Sequence, residues 1–193
     1  TKHTALEGFS WLANQFLGSA VRGYVVLDRD YRAEDECRVL RDRIRSWGLG
    51  CHIWRRHELE NYLLGPWVIG RLSGLAEGEA RSLLDEAMER VKEEAFAGLI
   101  GCRSGPLRSQ GKSDKTVAEM CRHELEERWS DFDSRLALCP GKETMSALNA
   151  LLQERGRKAL TVKRVVGAIR AEEVPEEMKA VLEELQGLVE GRE

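Results

Sequence analysis

The sequence predicts an α/β protein, with a largely parallel sheet flanked by helices, a mostly helical insert and a helical C-terminal tail. Three observations carry this. Tyr24-Val25-Val26-Leu27 is a short apolar run that stops abruptly at Asp28-Arg29-Asp30, the pattern of a buried strand in a parallel sheet. Residues 33–46 then repeat Cys37, Leu40 and Ile44 at helical spacing, and Cys51-His52-Ile53-Trp54 follows as a second strand. Strand, helix and strand in that order make a βαβ unit, whose right-handed crossover sets the two strands parallel.

Each element has its own signal. Gly8 to Gly18 reads as a short helix with Phe9, Leu12, Phe16 and Leu17 on one side, and the first strand spans 21–27. The helix over 33–46 carries Glu34, Asp35 and Glu36 in its first turn and Arg43 and Arg45 in its last, the charge order that suits the helix dipole, and Gly48 and Gly50 close it. From about 67 to 130 the pattern is helical, with Leu83, Leu84, Ala87, Met88, Val91, Ala95, Phe96, Leu99 and Ile100 in one long stripe. A polar interruption at 103–115 reads as a loop and the segment most prone to disorder, and a second helix follows at about 114–129. Leu136-Ala137-Leu138-Cys139 reads as a further short strand, ending at Pro140-Gly141-Lys142. Helices follow over 143–154, 160–171 and 175–189, the last opened by Pro175. The boundaries are a core over 1–66, a helical insert over 67–135, and the rest of the core with the C-terminal helices over 136–193. The pentapeptide Arg-His-Glu-Leu-Glu occurs at 56–60 and again at 122–126 in unlike contexts, and reads as a chance echo.

Composition narrows the class. The chain has 193 residues, 42% hydrophobic and 33% charged, enough for a domain with a real core. No apolar run approaches the roughly 20 residues of a membrane span, so no membrane partner is expected. Five scattered cysteines without a Cys-x-x-Cys pair read as reduced thiols of a cytoplasmic protein. Thr1-Lys2-His3 has no signal-peptide character, and the missing initiator Met suggests a piece of something longer. The net charge of −3 hides local basic stretches at 38–45, 103–115 and 155–170, and 22 of the 30 basic residues are Arg, the better fork for phosphate. Such stretches either track a phosphate backbone or are solvated helix faces.

Three motifs carry chemistry. Side chains two apart on a strand share a face, so Asp28 and Asp30 would present their carboxylates together beyond a strand end, where ligands bind in open α/β sheets. At about 5 Å, two such charges repel by roughly 3 kcal/mol at an effective dielectric near 20, which favours a cation between them. An ordinary strand-end turn remains the alternative. A phosphatase-type nucleophile is disfavoured, because Tyr31-Arg32 follows where a small hydroxyl residue is wanted. Glu58-Leu59-Glu60 lies just past the neighbouring strand, about 4.8 Å away in a parallel sheet, within reach of the same cation, or else serves only a helix start. It does not begin a zincin motif, since Asn61 stands where the second His would be. Pro140-Gly141-Lys142-Glu143-Thr144 resembles the end of a Walker A loop but lacks its first Gly, at Leu136, and its Ser/Thr, at Glu143. Lys142 could still set an ammonium beside a phosphate, or be a surface lysine.

Taken together, the Asp-Arg-Asp-Tyr-Arg strand end, the Arg-Arg-x-Glu-x-Glu-Asn-Tyr-Leu-Leu stretch and Pro-Gly-Lys before a helix resemble the Toprim nuclease domain of OLD-family (overcoming lysogenization defect) proteins. The resemblance covers most of 21–66 and 138–152. It implies a Toprim-like sheet and a metal-dependent DNA endonuclease using two divalent cations, Mg2+ or Mn2+. Asp28, Asp30, Glu60 and Glu58 would hold the metals, Lys142 would stabilise the transition state, and Arg32, Arg55, Arg56, Arg108 and Lys112 would bind DNA. An N-terminal ABC-type ATPase domain in the parent chain, oligomerisation through it and a helicase partner are also implied. The family's first metal-binding Glu, on an earlier strand, has a candidate here only in Glu7 of Leu6-Glu7-Gly8, and otherwise lies upstream of Thr1. The alternative is a non-catalytic module of the same kind that holds nucleic acid or a partner protein.

Overall fold

The computed structural model describes residues 22–190, together with Gly8 and Trp11. Glu7 and the helix expected over 8–18, those two residues apart, lie outside the described residues. Two compact units emerge, one made of residues 1–54 and 174–193 and the other of residues 55–173.

In the first unit, strand β1 (Tyr24–Leu27) pairs in parallel with β2 (Gly50–Ile53), and helix α1 (Glu34–Ser46) makes the crossover. The register sets Val25 opposite Cys51 and Leu27 opposite Ile53. These four alternate onto the face covered by α1, where Cys37, Ile44, Leu49, Cys51 and Ile53 form a buried core joined by Val25, Leu27, Leu40 and Trp47. Helix α1 starts where the sequence places it, with Glu36 Oε2 accepting from the Ala33 amide at 2.7 Å, and it stops before Gly48 at φ +78°. The opposite sheet face carries Tyr24 and His52, whose side chains bond to Glu184 and Glu177 of helix α9 (Glu176–Val189). Gly50 is required there, since a side chain at this position would run into the Tyr24 ring.

The second unit is helical. Its elements are α2 (Pro66–Ser73), α3 (Glu77–Arg90), α4 (Lys92–Ser109), α5 (Asp114–Trp129), α6 (Phe132–Leu138), α7 (Gly141–Glu154) and α8 (Val162–Ala168), with short 3-10 turns at Leu59–Tyr62 and Ala171–Glu173. Helix α3 packs between α2 and α7, and α4 pairs with α5. Leu84, Met88, Leu99, Leu125, Leu148, Leu151 and Leu152 are fully buried. The apolar stripe from Leu83 to Ile100 is split at Val91, the C-cap of α3, into two helices.

The predicted largely parallel, Toprim-like sheet flanked by helices is overturned. The described residues contain a two-stranded parallel sheet and nine α-helices, and about 70% of them are helical. One cause is visible at 136–139, which forms no third strand. Asp131 Oδ2 accepts from the Ser134 amide at 2.9 Å, a side-chain N-cap that starts α6 and carries Leu136 and Leu138 into helix. A four-residue apolar run cannot separate the two periods, so the cap decides. The 103–115 loop is likewise mostly helix, because α4 runs to Ser109 through Pro106.

Ile44→Ala is expected to destabilise the protein by about 2–4 kcal/mol, because Ile44 is fully buried in the first unit's core. Val39→Ala on the same helix, where Val39 is 65% exposed, should change stability by less than about 0.5 kcal/mol. Urea denaturation compares the two, and equal losses would contradict the assigned core face.

Candidate active site

The acidic strand end in the first unit is a tied turn. Strand β1 stops at Leu27, whose carbonyl accepts from the Trp54 amide at 3.0 Å. Past it, Asp30 takes φ +50°, a left-handed conformation that Asp tolerates better than most residues. Strand alternation therefore no longer sets where Asp28 and Asp30 point. The Asp30 carboxylate pairs with Arg32 Nη1 at 2.7 Å, and the same Nη1 donates to the carbonyls of Asp28 and Arg29. Arg29 closes the loop by donating to the Arg32 carbonyl and to Glu34. Arg32, expected to meet DNA, thus ties this turn together.

In the second unit three of the predicted residues come together around one buried amide. Asn61 is fully buried; its Nδ2 donates to the carbonyls of Leu136 and Cys139, each at 2.8 Å, and its Oδ1 accepts from the Glu58 amide at 2.8 Å. One side chain thereby joins the 58–62 turn to the junction of α6 and α7. At that junction Pro140 and Gly141 start α7, and Gly141 lies so close to the turn that a Cβ on it would sit 2.9 Å from Glu60 Cβ and 3.0 Å from Asn61 Oδ1. Glycine at 141 serves close packing and not phosphate wrapping.

The result is a Glu–Lys–Glu cluster at the head of a 14-residue helix. Lys142 Nζ lies 3.3 Å from Glu58 Oε1 and 3.6 Å from Glu60 Oε1, and Glu58 Oε2 accepts from the Lys142 amide at 3.3 Å. Glu58 and Glu60 are mostly buried, at 16% and 24% exposure, while Lys142 is 59% exposed. The Glu58 carboxylate lies against the start of this helix. A pair with one exposed partner contributes at most about 1 kcal/mol, so the ammonium can leave the carboxylates for a better-matched anion. His57 Nε2 lies 3.8 Å from Glu58 Oε1.

Two hard oxygen donors around one cationic position fit a divalent ion such as Mg2+, which binds through one or two carboxylates and keeps waters. No group of three or more His, Cys, Asp or Glu is gathered among the described residues, so these build no closed cage. Burial pushes the Cys139 thiol at this junction up to about 11, so it stays protonated and weakly nucleophilic near neutral pH.

The remaining predicted residues are placed elsewhere. Arg56 Nη1 donates to the Asn61 carbonyl at 2.6 Å and its guanidinium stacks over Tyr62, a structural role. Arg55 and Lys112 are exposed, and Arg108 pairs with Asp114 at 2.6 Å. Asn61 and Gly141 hold this cluster together, and motif reading left both without a role. The signal for Asn61 was the polar amide set directly before the apolar run Tyr62-Leu63-Leu64.

Compared with protein-family models, with curated proteins and with solved structures, the chain gives no match. Among the described residues no helix is long and apolar enough to cross a membrane.

Two outcomes follow from this packing. Gly141→Ala should cost about 1–3 kcal/mol by forcing Glu60 and Asn61 aside, whereas Lys142→Ala should cost less than about 1 kcal/mol; urea denaturation reads both, and a harmless Gly141→Ala would contradict the close approach. Cys139 has its thiol pKa raised from 9.0 to about 11 in the folded state, so its contribution is fully present below pH 9 and is lost as pH rises through 11. The stability advantage of the parent over Cys139→Ala should therefore shrink by roughly 2 kcal/mol between these values, and a pH-independent difference would contradict it.

Proposed function

We propose that the chain is the nuclease portion of an OLD-family protein and hydrolyses DNA phosphodiester bonds with the help of divalent cations, Mg2+ or Mn2+, in the cytoplasm. The observation that carries this reading is the ammonium of Lys142 resting on two mostly buried carboxylates, Glu58 and Glu60, at the head of α7. The motif resemblance around Asp28, Asp30, Glu58, Glu60 and Lys142 supports it. An ABC-type ATPase domain in the parent chain, which would oligomerise the protein, and a helicase partner belong to the same proposal.

The residues divide the work by their chemistry. Glu58 and Glu60 would hold one hard cation, and Asp28 and Asp30 would be the donors for another. A cation held by such carboxylates would supply Lewis-acid chemistry, lowering the pKa of a water and offsetting charge on oxygen. Lys142 turns from the carboxylates to the phosphate and neutralises charge that grows on its non-bridging oxygens, the kind of electrostatic help worth about 10²–10³ in rate. Asn61 and Gly141 set the distance between Lys142 and its two acids.

The second reading is a non-catalytic module that binds nucleic acid or a protein. What favours it is the Asp30–Arg32 pair, which already neutralises one of the expected metal donors.

Supercoiled plasmid incubated with the protein and Mg2+ or Mn2+ separates the two. Cleavage that EDTA abolishes, and that Lys142→Ala and Glu60→Gln each reduce at least about 100-fold, is the expected result. Metal-independent cutting, or a Lys142→Ala variant as active as the parent, would contradict the assignment. Binding without cleavage under both metals would support the second reading.

A further inference from the structure

Between residues 155 and 171 the chain carries six cations, Arg155, Arg157, Lys158, Lys163, Arg164 and Arg170, and not one Asp or Glu, although its net charge is −3. The structure separates this stretch from the other basic stretch of the second unit. There Arg103 pairs with Glu124, Arg108 with Asp114 and Lys115 with Glu119, so most of the charge is met locally. Among the described residues, by contrast, Arg157, Lys158, Lys163 and Arg164 form no ion pair, and all four are exposed. Arg155 pairs with Glu86 at the margin, and the Arg170 amide donates to Glu173. In the first unit Arg38, Arg41 and Arg45 are also without an ion pair, but Asp42 lies among them.

The stretch is also held in shape. Asn149 of α7 grips Leu160 at both backbone groups, its Oδ1 accepting from the Leu160 amide at 2.7 Å and its Nδ2 donating to the Leu160 carbonyl at 2.9 Å. Leu160 and Val165 are buried beneath the surface, and Thr161 caps α8 by accepting from the Arg164 amide at 3.3 Å. Arg164 Nη1 donates to the Ala159 carbonyl at 2.7 Å, which folds its guanidinium back toward the segment that holds Arg157 and Lys158. Val165 faces the interior, so a 100° step per residue puts Lys163 near the outward centre of α8, with Val166 and Arg164 on its flanks. Val162 and Val166 stand 50% and 54% exposed beside these cations.

We infer that residues 157–166 are a docking surface for the phosphodiester backbone of nucleic acid, with Arg157, Lys158, Lys163 and Arg164 as the phosphate contacts. Uncompensated, pre-shaped positive charge suits a polyanion. That the polyanion is nucleic acid rests on the nuclease reading, whose reaction centre, Glu58, Glu60 and Lys142, belongs to the same unit. Such a surface positions the strand without reading its bases.

The test measures binding apart from cleavage. Fluorescence anisotropy of labelled single- and double-stranded DNA is followed across salt concentrations in EDTA. Among the described residues Lys158 and Lys163 make no hydrogen bond or ion pair, so Lys158→Gln/Lys163→Gln should fold as the parent does, which circular dichroism checks. With two phosphate contacts removed, the slope of log K against log salt on duplex DNA should become shallower by about 2, and affinity at 0.15 M salt should fall roughly 30-fold. Lys115→Gln/Lys179→Gln, which removes cations already paired with Glu119 and Glu176, should leave the slope unchanged. An unchanged slope in the first variant, or a larger change in the second, would overturn the assignment. So would polyglutamate competing as well as DNA for the parent, which would make the surface a protein-docking site. Loss of plasmid cleavage in Lys142→Ala with DNA binding retained would leave this surface standing, and cleavage retained by a Lys158→Gln/Lys163→Gln variant that still binds with the parent's slope would remove it while sparing the nuclease reading.

Discussion

The geometry of the candidate site depends on one buried amide. Asn61 has no exposure, and its side chain bonds to Leu136 O, Cys139 O, Cys139 Sγ and the Glu58 amide. A buried polar group left unsatisfied costs about 1–3 kcal/mol, so these bonds are specified and not incidental. They hold the 58–62 turn against the start of α7, two segments about 80 residues apart in sequence. Glu58, Glu60 and Lys142 meet only because that junction is fixed, and Gly141 lets it close. The bond is directional, so it sets one spacing between the acids and the lysine, where an apolar contact would tolerate several.

This arrangement shows why a lysine can sit between two carboxylates without wasting either. The acids are mostly buried and the ammonium is mostly exposed, so the pair adds little stability and its partners are free to be exchanged. The first unit uses its acids differently. Asp30 spends its carboxylate on Arg32, within a turn that also engages Arg29 and Glu34. A turn tied this way has fewer open oxygens than two strand-end aspartates would offer.

Parts of this were legible in the sequence for local reasons. Helix α1 announces itself through acids at 34–36, Cys37, Leu40 and Ile44 at helical spacing, and Gly48 behind it, all short-range signals that agree. The βαβ unit follows from the two apolar runs on either side. The size of the sheet was not legible, because Leu136-Ala137-Leu138 suits either period and the deciding contact is the Asp131 cap on Ser134. The 103–115 stretch was misread for a similar reason: Pro106 and two glycines suggest a loop, yet α4 continues to Ser109. At the site, residue types pointed to Glu58, Glu60 and Lys142 individually, but their meeting depends on Asn61, whose partners are backbone carbonyls and leave no trace in side-chain identity. Ion pairing is equally silent in sequence: nothing in composition separates the paired arginines near 103–108 from the unpaired cations at 157–164.

On the proposed function, Lys142 occupies the position between Glu58 and Glu60 that a divalent cation would take. Mn2+ titration followed by electron paramagnetic resonance tests it without reference to activity. A saturable Mn2+ site is expected, lost in Glu58→Gln/Glu60→Gln and tightened in Lys142→Met, where the competing ammonium is gone. Mn2+ binding equal in all three proteins, or no saturable site in any of them, would contradict it.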